Sequence, residues 1–196
     1  MQFCGEEYDV MKLMKAANDG DMDAMRMLVT LCYANLEGEV FENTKEKCFE
    51  YIKQMAANGD GVAYIWLADS FVKGEFVKKN INKAIEFYQK AAEKGISYGY
   101  ECIGQLYYDG KDIPTDYEKA YRFIMKSKRK SGMSLYLLGE MYRLGRYVNQ
   151  NNRRAKQYYR RALVDERYLK YEDVYSTFAR KRLEGYEGEL KGDWES

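Results

Sequence analysis

The 196-residue sequence contains no histidine and only one proline, Pro114. Without an imidazole, the usual serine and cysteine triads and most zinc sites are excluded. The sequence also lacks any run of about 18 uncharged apolar residues, the length needed to cross a membrane. Its first residues are acidic and carry no apolar stretch typical of a secretory signal.

The four cysteines, Cys4, Cys32, Cys48 and Cys102, show no two-residue spacing typical of a metal knuckle or a redox motif. We therefore predict four reduced, mostly buried thiols in a cytoplasmic protein. Export on a signal removed beforehand would leave the same pattern, so that alternative stays open.

Catalysis finds little support in the sequence. No pair of carboxylates stands out as an acid/base couple, and the glycines do not form a phosphate-binding loop. A cysteine activated only by nearby Arg or Lys remains an alternative. We predict no enzyme activity, no catalytic residue, no cofactor, no metal and no small-molecule substrate.

Four glycines recur at nearly constant intervals: Gly38, Gly74, Gly110 and Gly145 are 36, 36 and 35 residues apart. After each glycine come an apolar residue at +3, a helix-capping residue at +6 and a base at +9. A small residue follows at +10 and an aromatic residue at +13. Six columns in one register across four copies indicate an internal repeat.

Each repeat is predicted to be a hairpin of two helices. Positions +10, +13, +14 and +17 fall on one face of the second helix. In the first helix, copies two to four carry a small residue at −6 and an aromatic residue at −3. The small residue lets the two helix axes approach closely, and the aromatic ring fills the space beside it.

Two segments carry a family resemblance: residues 138–145, LGEMYRLG, and residues 83–92, KAIEFYQKAA. They resemble the Sel-1-like repeat, a relative of the tetratricopeptide repeat, although copy one has its aromatic residue out of register. The resemblance implies an all-α, right-handed α-solenoid of about four Sel-1-like (TPR-like) helix hairpins with capping helices. Such a solenoid typically serves as a scaffold or adaptor for protein partners.

The repeats divide the chain into three parts. Residues 1–19 are predicted to cap the array, and residues 20–165 to form the four repeats, at about 20–58, 59–94, 95–131 and 132–165. Residues 166–196 are predicted to hold a second capping helix, at 168–184, and a polar tail. A methionine-rich apolar end at the first repeat leaves self-association through the terminal repeats open.

The positions that vary between copies are the candidate partner-binding residues. Helical spacing places −9, −5 and −2 of the first helix on one stripe, which we call the first-helix stripe. We expect it to lie on the concave face and to contact a peptide or protein. Its candidate residues are Asp69, Gln105, Glu140, Glu101, Tyr136, Tyr108 and Arg143.

The distribution of charge along the chain is the second indication of a partner. The formal net charge is only +1, but residues 122–161 hold twelve bases and a single acid, Glu140, with tyrosines between them. This basic patch suits an acidic protein surface or a nucleic acid. The alternatives are a solvated face or pairing with acids after Val164. The patch residues are Arg122, Lys128, Arg129, Lys130, Arg146, Arg153, Arg154, Arg160 and Arg161.

Overall fold

The computed structural model describes residues 2–3, 6–7, 9–33, 45–164 and 174–192. Within them the chain forms ten helices and one short antiparallel ribbon, β1 (Gln2–Phe3) with β2 (Glu6–Glu7). The predicted all-α class is confirmed, and the ribbon is an addition to it. The helices are α1 (Val10–Asn18), α2 (Met22–Tyr33), α3 (Lys45–Ala57), α4 (Gly61–Lys73), α5 (Ile81–Glu93), α6 (Tyr98–Asp109), α7 (Tyr117–Lys126), α8 (Gly132–Leu144), α9 (Asn152–Val164) and α10 (Val174–Gly192).

The chain divides into two compact units, residues 1–96 and residues 97–196. The N-terminal unit holds the hairpins α2–α3 and α4–α5, with α1 packed on α2. The C-terminal unit holds α6–α7 and α8–α9, with α10 packed on α8 and α9. No helix among the described residues is long and apolar enough to span a bilayer.

The capping residues predicted at +6 begin the second helices. Asn80, Asp116 and Asn151 each accept a hydrogen bond from the backbone N–H three residues later, at 3.1, 2.9 and 2.9 Å. These bonds satisfy amides that the first turn of a helix would otherwise leave unpaired. The fourth predicted cap, Thr44, lies outside the described residues.

The small residue at −6 allows the two helices of a hairpin to touch. A Cβ atom on Gly139 would lie 2.4 Å from the Tyr159 ring, and one on Gly104 would lie 2.6 Å from Ile124. Both distances are shorter than real carbon contacts, so a side chain at either position would force the facing helix or side chain to shift. The prediction of close approach at −6 is confirmed.

Two loop residues adopt a left-handed backbone without being glycine. Phe76 has φ 64° and Tyr147 has φ 63°, and both stand two residues after a repeat glycine. Their rings contact the second helix of the preceding hairpin in the same unit. Phe76 stacks on Phe49, and Tyr147 packs against Tyr121 at a tilt. The ring contacts offset the strain that a bulky side chain meets in this conformation.

The cysteines depart from the sequence prediction. Cys32 of α2 and Cys48 of α3 form a disulfide, while Cys102 is a buried thiol. The prediction of four reduced thiols is therefore wrong for this pair. Spacing along the chain could not reveal it, because the two cysteines meet through the packing of α2 on α3. Cys4 lies outside the described residues.

Candidate functional site

The carboxylates at −5 of the first-helix stripe are held by tyrosines of the same hairpin. The Tyr88 hydroxyl donates to Asp69 at 2.5 Å, and the Tyr159 hydroxyl donates to Glu140 at 2.5 Å. In both hairpins the tyrosine stands at +14. Copy three carries neither partner, since it has Gln105 at −5 and isoleucine at +14. The −5 position therefore joins the two helices of a hairpin in copies two and four.

Glu101, at −9 of copy three, is buried with 1% of its surface exposed. Its carboxylate accepts hydrogen bonds from the Ser127 hydroxyl at 2.6 Å and from the Ser131 backbone N–H and hydroxyl at 2.9 and 2.6 Å. Ser131 is the N-cap of α8, where a negative charge is stabilising. Glu101 thus anchors the start of α8 and is buried, whereas the helical spacing predicted an accessible residue.

Tyr108, at −2 of copy three, is half-buried against a cation. Its hydroxyl accepts a hydrogen bond from Arg146 Nη1 at 3.0 Å. The Arg146 guanidinium also lies over the Tyr117 ring, 4.8 Å from its centroid. Burial raises the pKa of Tyr108 to about 12, and the Arg146 charge opposes that rise. Tyr108 therefore stays a neutral hydroxyl at physiological pH.

Two further stripe residues are contacted by α10. Gln105 donates to the Tyr175 hydroxyl at 2.8 Å. The Tyr136 ring lies 6.0 Å from the Tyr175 ring and 5.8 Å from the Phe178 ring, between centroids. The C-terminal helix thus covers part of the stripe in this unit. The sequence pattern predicts this helix only as a cap.

Glu140 is the centre of an ionic network. Its side chain is 7% exposed, and Arg143 donates to its two oxygens at 2.9 and 2.7 Å. Arg182 of α10 donates to the same carboxylate through Nε at 3.0 Å. Burial alone would raise the pKa of Glu140, but the bonds from Arg143 and Tyr159 and the two arginine charges outweigh it and lower the pKa.

An open cleft of about 390 Å³ lies next to this network, and we call it the Arg143 cleft. It lies where the end of α8 and the start of α9 face α10. Three cations line it, and Glu140 sits beneath two of them. The lining residues are Arg143, Leu144, Gln150, Asn152, Lys181, Arg182, Gly185 and Tyr186.

The basic residues at +9 and +16 form a repeated contact with aromatic rings. In copies two to four the rings at −3 and +13 stack with centroids 5.7, 6.0 and 5.6 Å apart. A cation from +9 covers one ring and a cation from +16 covers the other, at 4.9–5.6 Å. Each pair contributes about 0.5–1 kcal/mol at an exposed site. Arg154 and Arg161 of the basic patch belong to this frame.

The rest of the basic patch is only partly free. Arg122 pairs with Glu118 at 2.6 Å, and Lys130 donates to the Ser127 carbonyl at 2.9 Å. The exposed side chains of Lys128, Arg129, Arg153 and Arg160 form no ion pair with a carboxylate of the described residues. A groove of about 530 Å³ on α9 is lined by Tyr142, Arg154, Gln157, Tyr158, Arg160 and Arg161.

A family model for the Sel1 repeat matches residues 23–60, 61–96, 103–124 and 132–163. The chain belongs to the Sel1 repeat family. Among solved structures it is similar to a protective antigen of uropathogenic Escherichia coli with an SLR fold (TM-score 0.66, 20% identity, 81% of this chain and 34% of that one). It also resembles Sel1 repeat proteins from Oxalobacter formigenes (TM-score 0.54, 24% identity, 68% and 95% covered) and Klebsiella pneumoniae (TM-score 0.52, 21% identity, 79% and 76% covered).

These similarities bear on the fold of the Sel1 repeats alone. This chain spans about a third of the length of the Escherichia coli antigen. No curated protein matches the sequence. The predicted family and the fold class are confirmed, and Sel1 repeats are generally protein-interaction scaffolds.

Sequence reasoning missed Lys181 and Arg182, which lie outside the Sel1 repeats. Their helix has no counterpart in the repeat columns, so no pattern placed them beside Arg143. The tyrosine–carboxylate pairs, in contrast, left a signal. The residues at −5 and +14 change together, from acid with tyrosine in copies two and four to Gln105 with Ile124 in copy three.

Proposed function

We propose that this Sel1 repeat protein is a non-catalytic interaction module that holds a peptide or protein partner on the first-helix stripe. In the expected solenoid this stripe is the concave face. The partner would contact the part of the stripe that intramolecular bonds leave accessible. Glu101 and Glu140 would then position neighbouring residues and would not touch the partner.

One observation carries the proposal: Arg143 belongs to the stripe and also lines an open cleft. Its side chain is 27% exposed, although Glu140 holds one edge of its guanidinium. Fixed side chains lose little rotamer entropy on binding, so they favour affinity. Tyr108, which Arg146 holds at the same −2 position, offers a second fixed contact of this kind.

Site-specific photo-crosslinking tests the proposal. Position 108 is replaced by a photoreactive phenylalanine analogue in the full chain, which is then irradiated in an extract of the native cell. The matched control carries the analogue at Met125, which is 44% exposed on the second helix α7. We expect a defined protein to crosslink from position 108 and not from position 125. Equal crosslinking from both positions, or none from 108, would contradict the proposal.

The predicted cytoplasmic location rested on the lack of a secretory signal and on four reduced thiols. The Cys32–Cys48 disulfide removes the second ground, because such bonds persist mainly in oxidising compartments. We therefore propose an oxidising compartment. Alkylating the protein in its native cell before digestion tests this proposal. A linked peptide pair that contains Cys32 and Cys48 supports it, and two alkylated peptides contradict it.

A further inference from the structure

We propose that the Arg143 cleft binds a phosphorylated side chain of the partner protein. The inference rests on the proposed function, because it names the chemical group that the partner would present to the stripe. It draws on three features of the cleft: the fixing of its two arginines, its net charge, and the lack of an open aromatic face.

The two arginines of the cleft are oriented before any ligand arrives. Arg143 donates to Glu140 through Nε and Nη2, and Arg182 donates through Nε at 3.0 Å and more weakly through Nη2 at 3.4 Å. In each guanidinium, Nη1 is left out of these bonds. A buried carboxylate that fixes its neighbours in this way is a common means of preparing a binding site.

The charge of the cleft matches a dianion. Arg143, Lys181 and Arg182 contribute three positive charges around the opening, and Glu140 compensates one of them from beneath. A phosphate monoester carries a charge of about −1.5 to −2 near neutral pH and presents three acceptor oxygens. Separate donors from two arginines and a lysine suit those three oxygens better than the two of a carboxylate.

The start of α9 adds to the same preference. Asn152 is the first residue of α9 and lines the cleft. Backbone N–H groups in the first turn of a helix carry partial positive charge and favour an anion. This contribution is secondary to the three side-chain cations.

The surroundings of Tyr186 disfavour a nucleic acid as the occupant. Tyr186 is the cleft's aromatic residue, and it is 8% exposed. Lys156 covers its ring at 4.5 Å, and the Tyr159 ring lies 6.5 Å away between centroids. A single strand normally adds stacking on open rings to its phosphate contacts, and each of its phosphodiesters carries only one charge. The monoester is therefore the better match.

An NMR titration of the full chain tests the inference. The probe is a twelve-residue glycine–alanine peptide with one phosphoserine, compared with its unphosphorylated and glutamate counterparts. We expect the phosphopeptide to shift the Nε–Hε signals of Arg143 and Arg182, and both counterparts to bind at least about tenfold more weakly. Inorganic phosphate and a single-stranded RNA oligomer are titrated in parallel.

Two variants and one control locate the binding. Lys181→Gln should weaken phosphopeptide binding about fivefold and Arg182→Gln at least about tenfold, because each removes a donor from the cleft. Lys78→Gln removes the same charge from an exposed position outside both the cleft and the basic patch, so it should change the dissociation constant less than twofold. Far-UV circular dichroism confirms that each variant is folded.

Several results would overturn the inference. These are equal binding of the glutamate peptide, tighter binding of RNA than of the phosphopeptide at matched salt, and equal losses in the Lys78→Gln and Lys181→Gln variants. Inorganic phosphate binding as tightly as the phosphopeptide would assign the cleft to a free anion and so also overturn it. Crosslinking from position 108 is independent of these outcomes, so the two proposals fail separately.

Discussion

Neutralising Glu140 should destabilise the protein far more than neutralising Asp69, although both carboxylates stand at −5 and accept from a tyrosine. Glu140→Gln keeps the side-chain volume but turns one oxygen into an NH₂ group facing two guanidinium groups. Removing one partner of a buried ion pair costs about 3–5 kcal/mol. Arg143 is 27% exposed and Arg182 is 45% exposed, so both regain some water. We expect a loss of about 2–4 kcal/mol in the free energy of unfolding.

Asp69→Asn is the matched control. Burial raises the pKa of Asp69, and the bond from Tyr88 and the charge of Lys73 only partly oppose that rise. Its ionised form is therefore disfavoured by folding. Asparagine retains an oxygen that accepts the Tyr88 hydrogen bond. We expect Asp69→Asn to change the stability at pH 7 by no more than about 1 kcal/mol.

The stabilities of the two variants relative to wild type should change with pH in opposite directions. The lowered pKa of Glu140 means that its stabilisation is complete above the ordinary glutamate pKa and is lost as pH falls through the lowered value. The difference in the free energy of unfolding between wild type and Glu140→Gln should therefore decrease at acidic pH. The raised pKa of Asp69 has the opposite effect. The wild type should become more stable relative to Asp69→Asn as pH falls through the raised value.

Urea unfolding followed at 222 nm between pH 7 and pH 3 measures both effects. With a urea dependence of about 2 kcal/mol per molar, Glu140→Gln should move the midpoint at pH 7 down by about 1–2 M. Equal costs for the two variants at pH 7 would refute the reasoning. A difference in the free energy of unfolding between wild type and Glu140→Gln that stays constant from pH 7 to pH 3 would also refute it.

Two further predictions concern the frame. Gly139→Ala should lower the free energy of unfolding by about 2 kcal/mol or more, because its Cβ would overlap the Tyr159 ring. Gly185→Ala, whose Cβ meets open space in α10, should raise the free energy of unfolding by up to about 1 kcal/mol. Thermal unfolding of both variants tests this, and equal melting temperatures would count against it. Opening the Cys32–Cys48 disulfide, which closes a 16-residue loop, should cost about 3 kcal/mol. Urea unfolding of the wild type with and without reductant measures this cost, and a variant with both cysteines changed to serine should not respond to reductant.

The repeat columns predicted the helices well because each column reflects a local requirement. Capping at +6 and a small residue at −6 are decided within one hairpin, so Asn80 and Gly139 could be assigned their roles from spacing alone. The base at +9 was visible as a column, but its contact with the ring at −3 was not, because that contact depends on how the two helices of a hairpin lie side by side.

The candidate site was harder to predict for the same physical reason. A helical wheel places Glu101 and Glu140 on the face away from the packed columns, yet both are buried. Ser131 at the start of the next first helix covers Glu101, and Arg182 of the C-terminal helix covers Glu140. The positions of Ser131 and Arg182 cannot be predicted from the periodicity of a single helix. Arg143 lines an open cleft, and its neighbours there, Lys181 and Arg182, lie outside the repeats.

The tyrosine–carboxylate pairs also constrain how the chain can recombine. Asp69 and Glu140 are 71 residues apart, as are Tyr88 and Tyr159, so hairpins two and four carry the same matched partners. A crossover after the second helix moves both partners together. A crossover inside the hairpin with copy three would place one of these acids opposite Ile124, which cannot donate a hydrogen bond. In recombined versions of this gene we therefore expect the crossover points to lie between hairpins and not within the turn that joins the two helices of a hairpin.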